Sequence, residues 1–393
     1  MLRELPAPGP RAAHCRLHRD DGTPVPDGQG SGKGPAAPAR TGALYEALEH
    51  AFSGPDALDT LPVEPHPLHR VAAGPLRAER AIGRLGGPAD ARIACLPYTA
   101  LDGGPPLQVP LFLWAPWYPL PTGPAAARRT RIGDTTDYRR ALSYSVNTGC
   151  AIGATRDEAL LHALNEWAER DALSLFLLCA VHDRGPLPAR LDPASLPPGP
   201  ARDLRQAAAT LHAPVTLLDL TTDIGIPVVL AHAPPLPDGA PRYGIGASLS
   251  PATAAHRAIG ELVQDHLLAR TAEGPGTGAA ARARVADHPR LLACARLAID
   301  DRLPGAPWAP LPPDDTAAAG APVADQRAEV VRRIGAAGHR VAARDLAVLA
   351  HGTTVVQVQC PGLERFHLIT GGHLALPQER GRRLRTRARA GER

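Results

Sequence analysis

Three stretches of the chain carry the same arrangement of apolar and acidic positions. ALYEALEH at 43–50 and ALNEWAER at 163–170 both read Ala-Leu-x-Glu-x-x-Glu followed by a basic residue, and AIGELVQDH at 258–266 reads Ala-Ile-x-Glu-x-x-Gln-x-His. Apolar residues spaced by three and four positions make each an amphipathic helix. Each follows glycines: SGKG at 31–34, NTGCAIGA at 147–154 and GIGAS at 244–248. Two of the helix starts are marked independently. Thr155 and Glu158 form a Thr-x-x-Glu capping box, and Ser250-Pro251 places an N-cap ahead of proline at the first helical position. A glycine-rich strand or turn leading into an acidic helix is therefore an internal repeat.

A second repeat lies in the apolar runs. APVTLLDLTTDIGIPVVLAHA (213–233) and HRVAARDLAVLAHGTTVVQVQCPG (339–362) each give an apolar strand, Asp-Leu, a turn and a Val-rich strand, after helix-like stretches near 201–212 and 322–337. These patterns predict an α+β fold of repeated helix–strand–strand units with mixed sheets and flanking helices. Proline-rich stretches at 103–124, 184–199, 234–241 and 302–322 read as surface loops. LFLWAPWYPL (111–120) is either an exposed aromatic groove or, the preferred reading, a buried strand with its turn. Residues 1–30 read as a poorly ordered N-terminal arm and 31–377 as one domain. The arginine-rich 378–393 lacks apolar periodicity and reads as a solvated basic tail, with contact to an acidic leader peptide or partner as the lesser alternative.

Composition narrows the function classes. With 393 residues, 44% of them apolar, the chain can bury a substantial core. A net charge of +4 and 4% aromatic residues provide neither the field nor the stacking platforms of a nucleic-acid surface. The N-terminus is charged throughout, unlike a signal peptide, and no apolar run approaches the roughly 20 residues of a membrane span, so a cytoplasmic protein is expected. The cysteines at 15, 95, 150, 179, 294 and 360 include no Cys-x-x-Cys and read as free thiols. His14, Cys15 and His18 could bind a metal, but a solvated segment is the preferred reading.

The acidic helices carry the chemistry. Residues three apart share a helix face, so Glu46/Glu49, Glu166/Glu169 and Glu261/Gln264 each present two oxygens. Carboxylates brought together in this way repel one another and need cations between them. Oxygen-only ligands select Mg²⁺ or Ca²⁺, and Mg²⁺ leaves positions for water and phosphate. Solvated Glu-x-x-Glu faces paired with arginines explain any one copy better than they explain three in matching contexts. Lys33, the one lysine among 43 basic residues, lies in the first glycine segment. Known phosphate loops do not account for it. A Walker A loop would need glycine at Asp27 and a hydroxyl at Gly34, and a dinucleotide fingerprint would need glycine at Lys33 itself.

At these residues the sequence resembles the YcaO family, from GKG at 32–34 to PGLE at 361–364. NTGCAIGATRDEALLHALNEWAERDA (147–172) is similar to the family's glycine-rich turn and Glu-x-x-Glu-Arg-Asp-Ala helix. DLTTDIGIPVVLAHA (219–233) and GIGASLSPATAAHRAIGELVQ (244–264) follow in family order. The resemblance implies a YcaO-like fold, binding of ATP and Mg²⁺, and activation of peptide backbone amides. Carried over position by position, it implies that Glu46, Glu49, Glu166, Glu169 and Glu261 hold Mg²⁺ against the ATP phosphates. Gln264, Arg170 and Glu158 would complete the nucleotide site, and Lys33 would meet a phosphate or the nucleotide.

Gly42, His50, His266 and Ala154 depart from the family pattern, where Ser, Arg, Arg and Asn are usual. A non-catalytic ATP-binding scaffold subunit is therefore one alternative. The reaction implied first is azoline-forming cyclodehydration (thiazole/oxazole chemistry) of Cys, Ser or Thr in a ribosomal precursor peptide, a RiPP modification. His162 and the Arg170-Asp171-Ala172 run look like that branch. Azoline formers often end in a proline-rich tail, whereas here only Pro377 precedes the C-terminal arginines. Thioamide formation is thus the other alternative. The implied partners are the precursor peptide and a leader-binding E1-like or TfuA-type protein, with a homodimer as the assembly.

Overall fold

The computed structural model describes residues 1–271, 278–314 and 316–390. Residue 315 of the fourth proline-rich stretch and residues 391–393 of the basic tail lie outside the described residues. The expected N-terminal arm is instead a three-stranded antiparallel sheet of β1 (Leu2–Leu5), β2 (Arg11–His18) and β3 (Pro24–Gly34). What read as a glycine turn has the period of a strand, because Gly28, Gly30, Gly32 and Gly34 all fall on its buried face. Helix α1 (Ala36–Ser53) lays Ala39, Ala43 and Ala47 on that face. A Cβ on Gly32 would overlap the Ala39 carbonyl, so the helix and strand backbones touch. Successive residues of β2 face opposite sides, which keeps His14 and Cys15 from converging on one ion.

The second sheet runs β4 (Glu64–Pro67), β5 (Arg92–Ala100), β13 (Ala342–Val348), β14 (Thr354–Gln359), β7 (Cys150–Gly153), with β6 (Leu107–Pro110) also paired to β5. The third runs β11 (Arg242–Ala247), β10 (Val228–Ala233), β9 (Thr216–Asp219), β8 (Arg190–Leu191), β12 (Trp308–Ala309), its β8–β12 pair being parallel. The other long helices are α2 (Arg156–Phe176), α3 (Pro198–Leu211), α4 (Pro251–Leu268), α5 (Val323–Ala336) and α6 (Glu379–Ala390). The expected helix–strand–strand units are present as α3–β9–β10 and α5–β13–β14. Each ends in an antiparallel pair, and the two pairs lie in different sheets.

Helix α2 is central to the core. Leu160, Leu164 and Trp167 on it are fully buried among residues of β10, β11, β14 and α5. The expectation of surface loops is corrected at three places, since β6, β8 and β12 fall within proline-rich stretches. Each is only two to four residues long, the length that flanking prolines leave free for pairing. After β6, Leu111, Phe112, Leu113, Trp114 and Tyr118 are buried, as expected, but Leu111–Leu113 form a 3-10 turn where a strand was expected, the strand having ended at Pro110.

The basic tail is corrected as well. It forms α6, and Arg380 is buried against Asp171 of α2 at 2.8 Å and also meets Asp223, while Arg385 pairs with Asp183 at 2.6 Å. Asp171 is completely buried, and a carboxylate there requires a cation. The six cysteines are free. No helix among the described residues is long and apolar enough to cross a membrane.

Candidate functional site

The three glycine-strand and helix pairs meet around one cavity of about 620 Å³. Its lining includes every residue that the family resemblance assigned to metal or nucleotide: Lys33, Glu46, Glu49, Glu158, Glu166, Glu169, Arg170, Glu261 and Gln264. Close packing brings them together. As at Gly32, a Cβ on Gly244 of β11 would overlap the α4 backbone at Ala258 and Leu262. With helix and strand so close, carboxylates projecting from the helices reach the strand backbones. Glu46 Oε2 accepts from the Ser31 N–H at 2.8 Å, Glu166 Oε2 from Gly149 at 3.0 Å, and Glu169 Oε1 from Ala247 at 2.8 Å. Thr155 caps the helix, its Oγ1 accepting from the Glu158 N–H at 3.2 Å, while the Glu158 carboxylate accepts from the Ala154 N–H, one residue before the cap, at 3.0 Å in place of the reciprocal bond of a full capping box.

Basic groups are interleaved with these acids. Lys33 Nζ donates to Glu261 Oε2 at 2.7 Å, Arg170 Nε lies 3.5 Å from Glu166 Oε1, and an Arg257 guanidinium nitrogen lies 3.5 Å from Glu169 Oε1. Burial raises Glu261, but Lys33 and Arg170 outweigh it and hold the carboxyl below its ordinary range. The others are not fully compensated. Burial pushes Glu46, Glu166 and Glu169 up. Glu49 is pushed well up by burial and by the charges of Glu166 and Glu46, with only the Ile152 backbone easing it. Buried, mutually repelling carboxyl oxygens are the donor set that a hard cation completes.

The fit is to a cation bound together with a ligand rather than to a closed cage. Among the described residues, no three acidic, His or Cys side chains are drawn together as a ready-made metal cluster. Mg²⁺ ordinarily takes only one or two carboxylates and fills its remaining positions with water and phosphate oxygen, which suits this arrangement.

Sequence reasoning did not assign Arg257, Asp265, Asn147 or Tyr45 to this cavity. Arg257 and Asp265 stand four residues before and after Glu261 on α4, so a helical-face count would have found them. Asn147 and Tyr45 carry no such signal. His162 lines the cavity and stays neutral, its basicity pushed down to about 3 by burial and by Arg257 and Lys33. Of the departures from the family pattern, His50 sits at the cavity with its Nδ1 2.7 Å from the Gln29 carbonyl and its Nε2 3.9 Å from Glu46. Gly42 also lines the cavity, whereas Ala154 and His266 do not.

A family model described as YcaO cyclodehydratase, ATP- and Mg²⁺-binding, matches residues 29–364, and the chain belongs to the YcaO family. Membership assigns it ATP and Mg²⁺ as cofactors. The fold is shared with a heterocyclase solved in complex with substrate and cofactor, at TM-score 0.65 and 20% identity over 93% of this chain and 50% of that one. It is also shared with YcaO from Methanopyrus kandleri bound with AMPPCP and Mg²⁺, at TM-score 0.62 and 20% identity over 96% of this chain and 89% of that one. An uncharacterized protein of the tfuA 3′ region in Rhizobium leguminosarum bv. trifolii is 37% identical over 129 residues, 31% of this chain. The match spans 30% of that relative's length.

Proposed function

We propose that this chain activates backbone amides of a ribosomal precursor peptide and that its product is an azoline made from Cys, Ser or Thr. The observation that carries this reading is the convergence of six glutamates from α1, α2 and α4, interleaved with Lys33, Arg170 and Arg257, on one 620 Å³ cavity. Bound MgATP supplies the phosphoryl group that makes an amide oxygen a leaving group. The substrate's side-chain nucleophile adds to the preceding carbonyl carbon and gives up its proton. That carbonyl's oxygen would depart with the phosphoryl group as phosphate while the amide nitrogen loses its proton to form the ring's C=N bond, so each ring formed would consume one ATP and yield ADP.

Within this scheme Glu46, Glu49, Glu166, Glu169 and Glu261 hold the divalent ions. Lys33 and Arg170 face phosphate charge, and Glu158 and Gln264 complete the nucleotide contacts. The chain's share of catalysis is positioning and charge neutralisation. The protein works in the cytoplasm, where ATP is supplied, with a leader-binding partner.

Thioamide formation is the second reading, favoured by the relative in the tfuA 3′ region. Mass spectrometry of a precursor peptide incubated with this chain, its partner, MgATP and a sulfide source separates the readings. Loss of water from the peptide supports azoline formation, and exchange of oxygen for sulfur supports the thioamide. An unmodified peptide alongside intact MgATP binding overturns both and leaves a scaffold subunit.

A further inference from the structure

Away from the acidic cavity, one face combines exposed leucines with an excess of cations. The segment 373–378 crosses the turn at Leu142–Tyr144 and is pinned there by side chains. Ser143 Oγ donates to the Leu374 carbonyl at 2.9 Å, the Leu376 N–H donates to the Tyr144 hydroxyl at 2.7 Å, and Arg80 Nε donates to the Pro377 carbonyl at 3.3 Å. Leu142, Leu374 and Leu376, carried on these two crossing segments, are left exposed at 37%, 52% and 50% of their surface.

A cavity of about 420 Å³ nearby is lined by Arg84, Arg139 and Arg140. Arg80, one turn before Arg84 in the chain, bonds the Pro377 carbonyl beside Leu376, and Arg140 stands two residues before Leu142, which brings cations to the leucine segment. Arg139 is paired with Asp137 at 2.7 Å, Arg140 also acts on that carboxylate, and Arg84 is exposed with no ion-pair partner among the described residues, so one acid faces three arginines. Exposed leucines with an excess of arginines nearby are the surface an acidic, apolar ligand complements.

We propose that this face docks an acidic, leucine-bearing segment of the substrate peptide, outside the residues that are modified. The inference rests on the peptide-modifying reading above. A small cavity and three leucines suit an extended segment, whereas a globular partner would bury about 800 Å² on each side. The face also lies within reach of the chemistry. Leu142 is five residues from Asn147, which lines the acidic cavity, so the two are no more than about 18 Å apart.

The test is fluorescence anisotropy with a labelled synthetic octapeptide alternating leucine with Glu and Asp, a lysine-for-acid counterpart, and phosphatidylserine vesicles. The acidic peptide is expected to bind the wild type, more weakly as salt rises, and the lysine peptide is not. The double variant Arg84→Glu/Arg140→Glu should lose at least tenfold in affinity and Leu374→Ser/Leu376→Ser several-fold, with unchanged circular dichroism. Absence of peptide binding, equal binding by the charge-reversed variant, or binding of vesicles in place of the peptide overturns the docking face. MgATP titration of the same samples separates the two ideas. Nucleotide binding without peptide binding removes only this face, and peptide binding without nucleotide binding removes only the proposed reaction.

Discussion

Lys33 Nζ lies 2.7 Å from Glu261 Oε2, so the single lysine of the chain bridges strand β3 and helix α4. Both side chains are about three-quarters buried at the cavity. The lysine therefore holds one of the acidic helices in place and presents a positive charge to any bound phosphate. Lys33→Ala is expected to weaken MgATP binding about tenfold, the loss of one charge-assisted contact worth roughly 1.4 kcal/mol, and Lys33→Arg to retain part of it. Titration calorimetry on the two variants measures this. Unaltered affinity in Lys33→Ala would confine the residue to its ion pair.

Glu49 tests whether the acidic cluster exists for a cation. Its carboxyl is buried and faces Glu166 and Glu46, so without metal it strains the fold. Glu49→Gln is expected to raise the melting temperature of the metal-free protein by about 2 °C. The same change should abolish the further rise that MgATP gives the wild type. Thermal scans with and without MgATP show both effects, and a variant that is still stabilised by MgATP would remove Glu49 from the site.

His367 makes the stability pH-dependent. It is buried with its backbone N–H donating to Ser174 Oγ at 2.8 Å and its ring Nδ1 3.1 Å from the same hydroxyl, and burial together with the nearby Arg170 and Arg365 holds its basicity well below the ordinary histidine range. A lowered folded-state value means that the unfolded chain binds this proton more readily. The contribution is present above the unfolded value, about 6.5, and is lost as pH falls below it. Denaturant titrations between pH 7 and 5 should show stability falling by up to about 1.4 kcal/mol per pH unit from this group. His367→Gln should flatten that slope, and an unchanged slope would place the proton uptake elsewhere.

Arg380 ties the C-terminal helix to α2 next to the site. Its guanidinium is almost wholly buried and pairs with the fully buried Asp171, the neighbour of Arg170. Arg380→Ala strands that carboxylate and is expected to cost about 3–5 kcal/mol. The double variant Asp171→Asn/Arg380→Met should recover much of the loss, because no charge is then left buried. Chemical denaturation of the three proteins decides, and equal destabilisation by the single and double variants would mean that packing of α6, not the ion pair, is what matters.

Local signals in the sequence were sufficient for the acidic helices and for the helix–strand–strand units. The Thr155 and Ser250 caps both form, Thr155 Oγ1 accepting from the Glu158 N–H at 3.2 Å and Ser250 Oγ from the Thr253 N–H at 3.1 Å, while the Glu158 side chain bonds the Ala154 N–H rather than that of Thr155. Such signals act over three or four residues, the range at which a helix repeats its face, and so they also fixed which glutamates point the same way. The alternate glycines of β3 carried a strand signal of period two, but the lack of side chains hid it among turn residues.

Only the tertiary structure decided which faces meet. Lys33 finds Glu261 across 228 positions of chain, and Arg380 finds Asp171 across 209. No local pattern encodes either pair, because each arises where sheets and helices distant in sequence pack together. The N-terminal strands became ordered for the same reason. Their glycines accept the alanine face of α1 at backbone contact, and that burial, absent from any short segment read alone, turns an apparent loose arm into one wall of the site.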